Sequence, residues 1–126
     1  MKLLKALSFQ RNRLRGTIST EIGLLSSMRS LVISNNHLTG SIPTEVGNLL
    51  KLETFDVVGN SLAGKIPTQI ENLMNLEVLG INGNDFTEHI KHPTFLCNMN
   101  KNIGLMILYD CGKCECCATT KCNPVS

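Results

Sequence analysis

The sequence predicts an α/β solenoid with a parallel sheet on its concave face and short helical or 3-10 turns on its convex face. Apolar residues recur every 24 positions, and each period opens with an alternating apolar segment that leads into a short segment of helical character. The composition agrees, because the 126 residues are 42% apolar yet include one Tyr, four Phe and no Trp. A core of stacked Leu and Ile needs few aromatic side chains.

The 24-residue period holds without a gap over four turns. Three apolar columns show it: Leu4, Met28, Leu52 and Leu76; Leu7, Leu31, Phe55 and Leu79; Phe9, Ile33, Val57 and Ile81. Within each turn they give the pattern L-x-x-L-x-L, whose alternation predicts a strand with one buried face. We expect these strands to stack in parallel on the inner face of a curved solenoid.

Polar and turn-forming residues keep the same register after each strand. An amide where the chain turns inward can satisfy backbone groups that the turn removes from water, so we predict a structural ladder of Asn12, Asn36, Asn60 and Asn84. A glycine column then permits a tight backbone path on the outer side of the solenoid, and Pro43 and Pro67 fix an extended bend. The segments 44–49 and 68–73, each opened by Thr, predict short helical turns on the outer side.

These columns resemble the plant-specific leucine-rich repeat, L-x-x-L-x-L-x-x-N-x-L-x-G-x-I-P-x-x-I-G-x-L-x-x. Residues 28–51 and 52–75 match it nearly column for column, residues 4–27 match without the Pro, and the fourth turn matches through Phe86. The resemblance implies a right-handed superhelix with a second short strand near L-x-G-x-I-P. It also implies a binding role, as in receptor ectodomains, adhesion proteins and inhibitors of secreted enzymes.

The residues that project from the inner strands are the candidate ligand-binding surface. A protein, peptide or glycan ligand on the concave face would contact Ser8, Gln10, Ser30, Val32, Ser34, Thr54, Asp56, Val58, Val78 and Asn82. These side chains are small and include no aromatic anchor of the kind that dominates strong interfaces. The alternative interpretation is that they form simply a solvated strand face.

The sequence favours a binding scaffold over an enzyme. Asp56 is the only acid on the predicted inner face, and one carboxylate without a facing base or second acid does not make a hydrolytic site. The glycines recur every 24 residues, far from the spacing of a nucleotide-binding loop. A net charge of +2 without a recognisable motif gives no reason to expect nucleic acid, and no apolar run is long enough for a membrane span. We expect no cofactor.

All six cysteines lie in the tail: Cys97, Cys111, Cys114, Cys116, Cys117 and Cys122. Three disulfides that staple the last turn are the favoured interpretation, since the count is even and the region is too thin for its own core. The alternative is a zinc site, but the last five cysteines are packed into twelve positions, whereas zinc folds usually separate two cysteine pairs by a loop. We therefore expect no metal.

The tail motifs also resemble the C-terminal ends of secreted or surface leucine-rich-repeat proteins of diatoms and related algae. The matching pieces are L-C at residues 96–97, Y-D-C-G at 109–112 and C-E-C-C at 114–117. We accordingly divide the chain into repeats over residues 1–90 and a cysteine-rich cap over 91–126, and expect an extracellular or cell-surface location. The first repeat starts within two residues of its register, so we also expect that a preceding cap is missing.

Overall fold

The computed structural model describes residues 3–86 and the backbone of a strand at residues 106–108. Within these residues the chain winds through nine short strands: β1 (Ala6–Ser8), β2 (Arg15–Thr17), β3 (Ser30–Val32), β4 (His37–Thr39), β5 (Thr54–Asp56), β6 (Ala63–Gly64), β7 (Val78–Gly80), β8 (Asp85–Phe86) and β9 (Met106–Leu108). Three 3-10 helices, η1 (Thr20–Leu24), η2 (Thr44–Asn48) and η3 (Thr68–Asn72), separate the first four turns.

The inner strands form one parallel sheet in the order β1-β3-β5-β7-β9. Ala6 aligns with Ser30, Ser30 with Thr54 and Thr54 with Val78, so the register advances by the 24-residue period. The next step differs, because Val78 aligns with Met106, 28 residues later. The predicted solenoid with a parallel concave sheet is confirmed, and its fifth strand falls four residues later than the regular period requires.

The outer strands follow the asparagine column, where plant-type repeats place a second strand. They pair as β2 with β4 and β6 with β8, in two separate two-stranded sheets. Backbone hydrogen bonds also join the second and third turns here, from Ser61 N to Leu38 O and from Ala63 N to Gly40 O. The outer path is therefore hydrogen-bonded from turn to turn, although its strands are only two or three residues long.

The convex side consists of the three 3-10 helices at the predicted positions. Ser19 precedes η1, and its hydroxyl oxygen accepts a hydrogen bond from Glu21 N at 3.2 Å. Pro43 and Pro67 take the same position before η2 and η3, where no side chain caps the helix. At these two positions proline fixes an extended backbone conformation before the helix, where serine provides a capping hydrogen bond.

Close stacking of these helices accounts for one glycine column. A Cβ atom on Gly47 would lie 2.6 Å from the carbonyl oxygen of Gln69 in the next turn, and one on Gly23 would lie 2.8 Å from that of Glu45. Both distances are shorter than van der Waals contact allows. Neighbouring turns approach so closely at these two positions that only glycine fits.

The core lies between the inner sheet and the convex helices. It is formed by the apolar columns of the second to fourth turns, where Leu52, Phe55 and Leu79 are completely buried. In the first turn the equivalent residues Leu4 and Leu7 are only half-buried, and Phe9 is 47% exposed. The core is thus continuous along the solenoid and thins toward β1. The predicted repeat boundary at residue 90 and the six cysteines lie outside the described residues. Within the predicted cap over 91–126 only the backbone of β9 is described, and it extends the inner sheet.

Candidate ligand-binding surface

The concave face of the sheet is an alternating surface built by the strand periodicity. In β5 the central Phe55 is completely buried, while Thr54 and Asp56 are half-buried and point to the other face. The same alternation holds in β3 and at the start of β7. Because the parallel strands are in register, the outward residues of neighbouring turns lie side by side.

The structure places the predicted contact residues in three groups. Ser8 and Gln10, in and just after β1, are exposed. The half-buried group is formed by Ser30, Val32, Thr54, Asp56, Val58, Val78 and Asn82. Ser34 differs from the expectation of a surface residue, because it is only 3% exposed. It lies where the chain turns inward, and its carbonyl oxygen accepts hydrogen bonds from Arg11 N and from the Asn36 amide.

The side chain of Asp56 on this face is held by a hydrogen bond from the backbone. Its Oδ1 accepts a hydrogen bond from Val58 N at 3.0 Å, which fixes the carboxylate over its own strand end. In the sheet Asp56 aligns with Val32 on one side and with Gly80 on the other. A Cβ atom at Gly80 would lie 2.7 Å from Asp56 Oδ1 and 2.9 Å from Val58 Cγ2. The carboxylate therefore occupies the space that the missing side chain of Gly80 leaves open.

This relationship between Asp56 and Gly80 was not part of the sequence prediction. Both residues occupy the same position of the repeat, 24 residues apart. This shared position was the feature of the sequence from which their contact could have been inferred. A strand glycine beside a carboxylate indicates a close approach of the neighbouring side chain.

The asparagine column ties each turn to the one before it. Asn60 Oδ1 accepts a hydrogen bond from Leu38 N, and its Nδ2 donates to Ile33 O and Val57 O. Asn36 and Asn84 make the equivalent contacts one turn earlier and one turn later. Asn12 differs, because it is exposed and its Nδ2 donates only to Gln10 O within its own turn.

Charge is distributed unevenly along the solenoid. The first turn has a formal charge of +3, from Lys5, Arg11, Arg13 and Arg15 against Glu21. The third turn has −2, from Glu53, Asp56 and Glu71 against Lys65, and the fourth has −2 through Phe86 from Glu77 and Asp85. The second turn lies between them at +1, from Arg29 and Lys51 against Glu45. The leading end is basic and the trailing described turns are acidic.

One ion pair crosses between turns on the described surface, from Arg29 Nη1 to Glu53 Oε1 at 2.6 Å. Both side chains are substantially exposed, so water screens the attraction and it adds little to stability. Among residues 3–86 no three His, Cys, Asp or Glu side chains come together as a metal site. No helix in the described part of the chain is long and apolar enough to cross a membrane.

The repeats match the family model described as Leucine Rich Repeat over residues 27–49 and 51–73. Residues 27–49 and 51–73 are therefore leucine-rich repeats, and the described turns on either side of them keep the same 24-residue period. Their architecture is shared by solved structures of plant leucine-rich-repeat proteins at about one-third sequence identity. No curated protein sequence matches the chain.

Three solved structures illustrate the likeness. The PEPR1–AtPEP1 structure is 34% identical over 85% of this chain, with a TM-score of 0.76, and the chain spans 14% of its length. The Arabidopsis receptor kinase HAESA, in complex with the peptide hormone IDA and the co-receptor SERK1, is 31% identical over 82% of this chain. Its TM-score is 0.74, and the chain spans 17% of its length. A plant ice-binding protein is 32% identical over 85% of this chain, with a TM-score of 0.77 and 34% of its own length covered.

Proposed function

We propose that this chain is a non-enzymatic scaffold that binds a peptide or protein segment on the concave face of its leucine-rich repeats. The observation that carries this proposal is the in-register row of half-buried side chains on β3, β5 and β7, which includes Val32, Thr54, Asp56 and Val78. Such a row offers an extended ligand both apolar contacts and hydrogen-bonding groups. The similarity to a hormone receptor bound to its peptide supports this proposal.

Nothing on the described surface favours catalysis over binding. Asp56 is the one carboxylate on the concave strands, and its Oδ1 is engaged by Val58 N. General acid–base chemistry needs a second titratable group within hydrogen-bond reach of the same substrate atom. The concave face of residues 3–86 presents no such pair, so its chemistry suits recognition.

The cellular setting that we propose is the outside of the cell, as a receptor-like or secreted leucine-rich-repeat protein. The similarity to the Arabidopsis receptor kinase HAESA supports this placement. We also propose that residues 91–126 form a cysteine-rich cap, joined by disulfides and akin to the algal proteins that its motifs resemble. Six cysteines in one short terminal region support that part of the proposal.

A selection experiment tests the binding function. A random peptide library displayed on phage is selected on the folded chain, on Val58→Arg and on the control Thr68→Arg. Val58 lies on the concave face and Thr68 at the start of η3 on the convex face, so both variants add the same bulk and charge. Binders that are enriched on the wild type and on Thr68→Arg, and lost on Val58→Arg, support the proposal. Absence of enriched binders, or equal loss on both variants, contradicts it.

A further inference from the structure

We infer that the concave site selects ligands that carry a cation, a Lys or Arg side chain, which is held by the carboxylate of Asp56. This inference rests on the proposed function and names the chemical class of its ligand. The site consists of Asp56, the backbone of Gly80 against which it packs, and the apolar side chains of Val32, Val58 and Val78. We refer to these five residues as the Asp56 notch.

The first step is the fixed orientation of the carboxylate. Val58 N donates to Asp56 Oδ1 at 3.0 Å, so this oxygen is satisfied and the side-chain rotamer is held. Within the described residues the other oxygen, Oδ2, accepts no hydrogen bond, and it is not a fully buried atom. A ligand cation therefore meets a preoriented acceptor and does not have to immobilise a free side chain, which reduces the entropy lost on binding.

The second step is the close approach at Gly80. The Asp56 carboxylate and Val58 Cγ2 already fill the space of a Gly80 side chain, since a Cβ atom there would lie 2.7 Å from Oδ1 and 2.9 Å from Cγ2, so the neighbouring strand carries no side chain that displaces the carboxylate. Glycine is an unfavourable choice for the centre of a strand, because it packs poorly and loses more backbone entropy than other residues. The backbone of Gly80 does not require glycine, since its φ is not positive. The steric demand of Asp56 and Val58 is what requires it.

The third step is the missing counter-charge. Within residues 3–86 the carboxylate of Asp56 has no ion-pair partner, although it is half-buried among valines. A neighbouring apolar surface lowers the local dielectric and strengthens the attraction to an incoming cation. The valines also suit the aliphatic stems of Lys and Arg, which pack on apolar surface while their charged ends reach a partner. The notch therefore matches a long cationic side chain in its charge and in the apolar surface beside that charge.

The test uses peptides from the selection described above. We expect wild-type binders to be enriched in Lys or Arg at one fixed position. Synthetic binders in which that Lys is replaced by norleucine, or that Arg by citrulline, keep the stem and lose the charge. Their affinity, measured by calorimetry at low and high salt, is expected to fall about tenfold at low salt, the equivalent of about 1.4 kcal/mol.

Two variants distinguish the contribution of the carboxylate to binding from an effect on the fold. Asp56→Asn keeps an acceptor for Val58 N but removes the charge, and Gly80→Ala keeps the charge but displaces the carboxylate. Both are expected to lose about tenfold in affinity for the cationic peptide and to bind the uncharged analogue as the wild type does. Glu77→Gln is the matched control, because it removes one negative charge from an exposed position outside the notch. Circular dichroism and thermal melts establish that each variant folds.

The outcomes distinguish this inference from the function on which it rests. Enriched binders without a fixed cation, or cationic binders that ignore Asp56→Asn and Gly80→Ala, overturn the inference and leave the concave binding surface in place. An equal loss with Glu77→Gln also overturns it, because the effect is then one of net charge. If no peptide is enriched at all, the proposed function fails and the inference fails with it.

Discussion

Asn60 Oδ1 accepts a hydrogen bond from Leu38 N at 3.1 Å, across the boundary between two turns of the solenoid. Its Nδ2 donates to Ile33 O in the earlier turn and to Val57 O in its own. The side chain is 8% exposed, so water cannot replace these partners. Each asparagine of this kind joins two turns, and its removal leaves buried backbone groups of both turns unpaired.

The ladder predicts unequal effects of the same substitution along the column. Asn60→Ala is expected to lower the free energy of unfolding by about 1–3 kcal/mol, because it leaves buried donors and acceptors unsatisfied. Asn12→Ala is expected to change it by less than about 0.5 kcal/mol, since Asn12 is exposed and reaches only Gln10 O. Urea titrations of both variants measure this difference. Equal transition midpoints for the two variants would show that the asparagine ladder does not stabilise the fold.

The convex glycine column predicts a steric effect. Gly47→Ala places a Cβ atom 2.6 Å from Gln69 O, so the stacked helices η2 and η3 must move apart. We expect a loss of about 1–3 kcal/mol, as for an overpacked core. Glu71→Ala is the control, because Glu71 is exposed and occupies the same column one turn later. Thermal melts compare the two variants, and a Gly47→Ala protein as stable as wild type would contradict the close approach.

The thinning of the core predicts a gradient within a single apolar column. Phe55→Ala removes a completely buried side chain and is expected to lower stability by about 3–5 kcal/mol. Leu7→Ala removes the half-buried member of the same column, for which we expect about 1 kcal/mol. Both variants are measured by chemical denaturation. Similar losses at the two positions would mean that the first turn is as well packed as the third.

The apolar surface of the first turn predicts self-association of the isolated chain. Phe9 is 47% exposed and Leu14 is 38% exposed, on the side where no described strand precedes β1. We expect the sedimentation coefficient to rise with concentration. The double substitution Phe9→Ser and Leu14→Ser should reduce this rise, whereas Leu50→Ser, at a 58% exposed convex position, should not. A monomer at every concentration would refute this expectation.

The cysteine tail predicts a redox dependence. Protein recovered from its native source should show no free thiol and a mass six hydrogens below that of the reduced chain. A bond that closes the 14-residue interval from Cys97 to Cys111 would be worth about 3 kcal/mol in the chain-entropy model. Reduction is then expected to lower the melting temperature. Six reactive thiols without released metal would contradict both the disulfides and the extracellular placement that rests on them.

The fold was predictable from sequence because each repeat column has one structural task. Leu31, Phe55 and Leu79 all point inward from in-register strands, and a strict period turns that single pattern into a stack. Thr44 and Thr68 open short helices for the same reason. Once the period was recognised, the inner strands and the convex helices followed.

The details of the concave surface were less accessible to sequence analysis. Alternation placed Ser34 on the surface, but the strand has ended there and the inward turn buries it. Arg11 and Asn35 adopt positive φ values of 56°, which residue type did not predict at Arg11 because the common indicator is glycine. The close contact between the Asp56 carboxylate and Gly80 depends on the distance between neighbouring strands. Such features come from packing between turns, which a single repeat does not encode.

The graded formal charge of the four described turns gives that part of the solenoid an electric dipole along its long axis. At the usual spacing of strands, β1 and β7 lie about 14 Å apart, which exceeds the screening length of about 10 Å in 0.1 M salt but is well below the length of about 30 Å in 0.01 M salt. At low ionic strength we therefore expect this field to turn an elongated ligand with unlike charges at its two ends, with its acidic end toward β1 and its basic end toward Asp56. Raising the ionic strength is expected to remove that preference before it removes the apolar contacts.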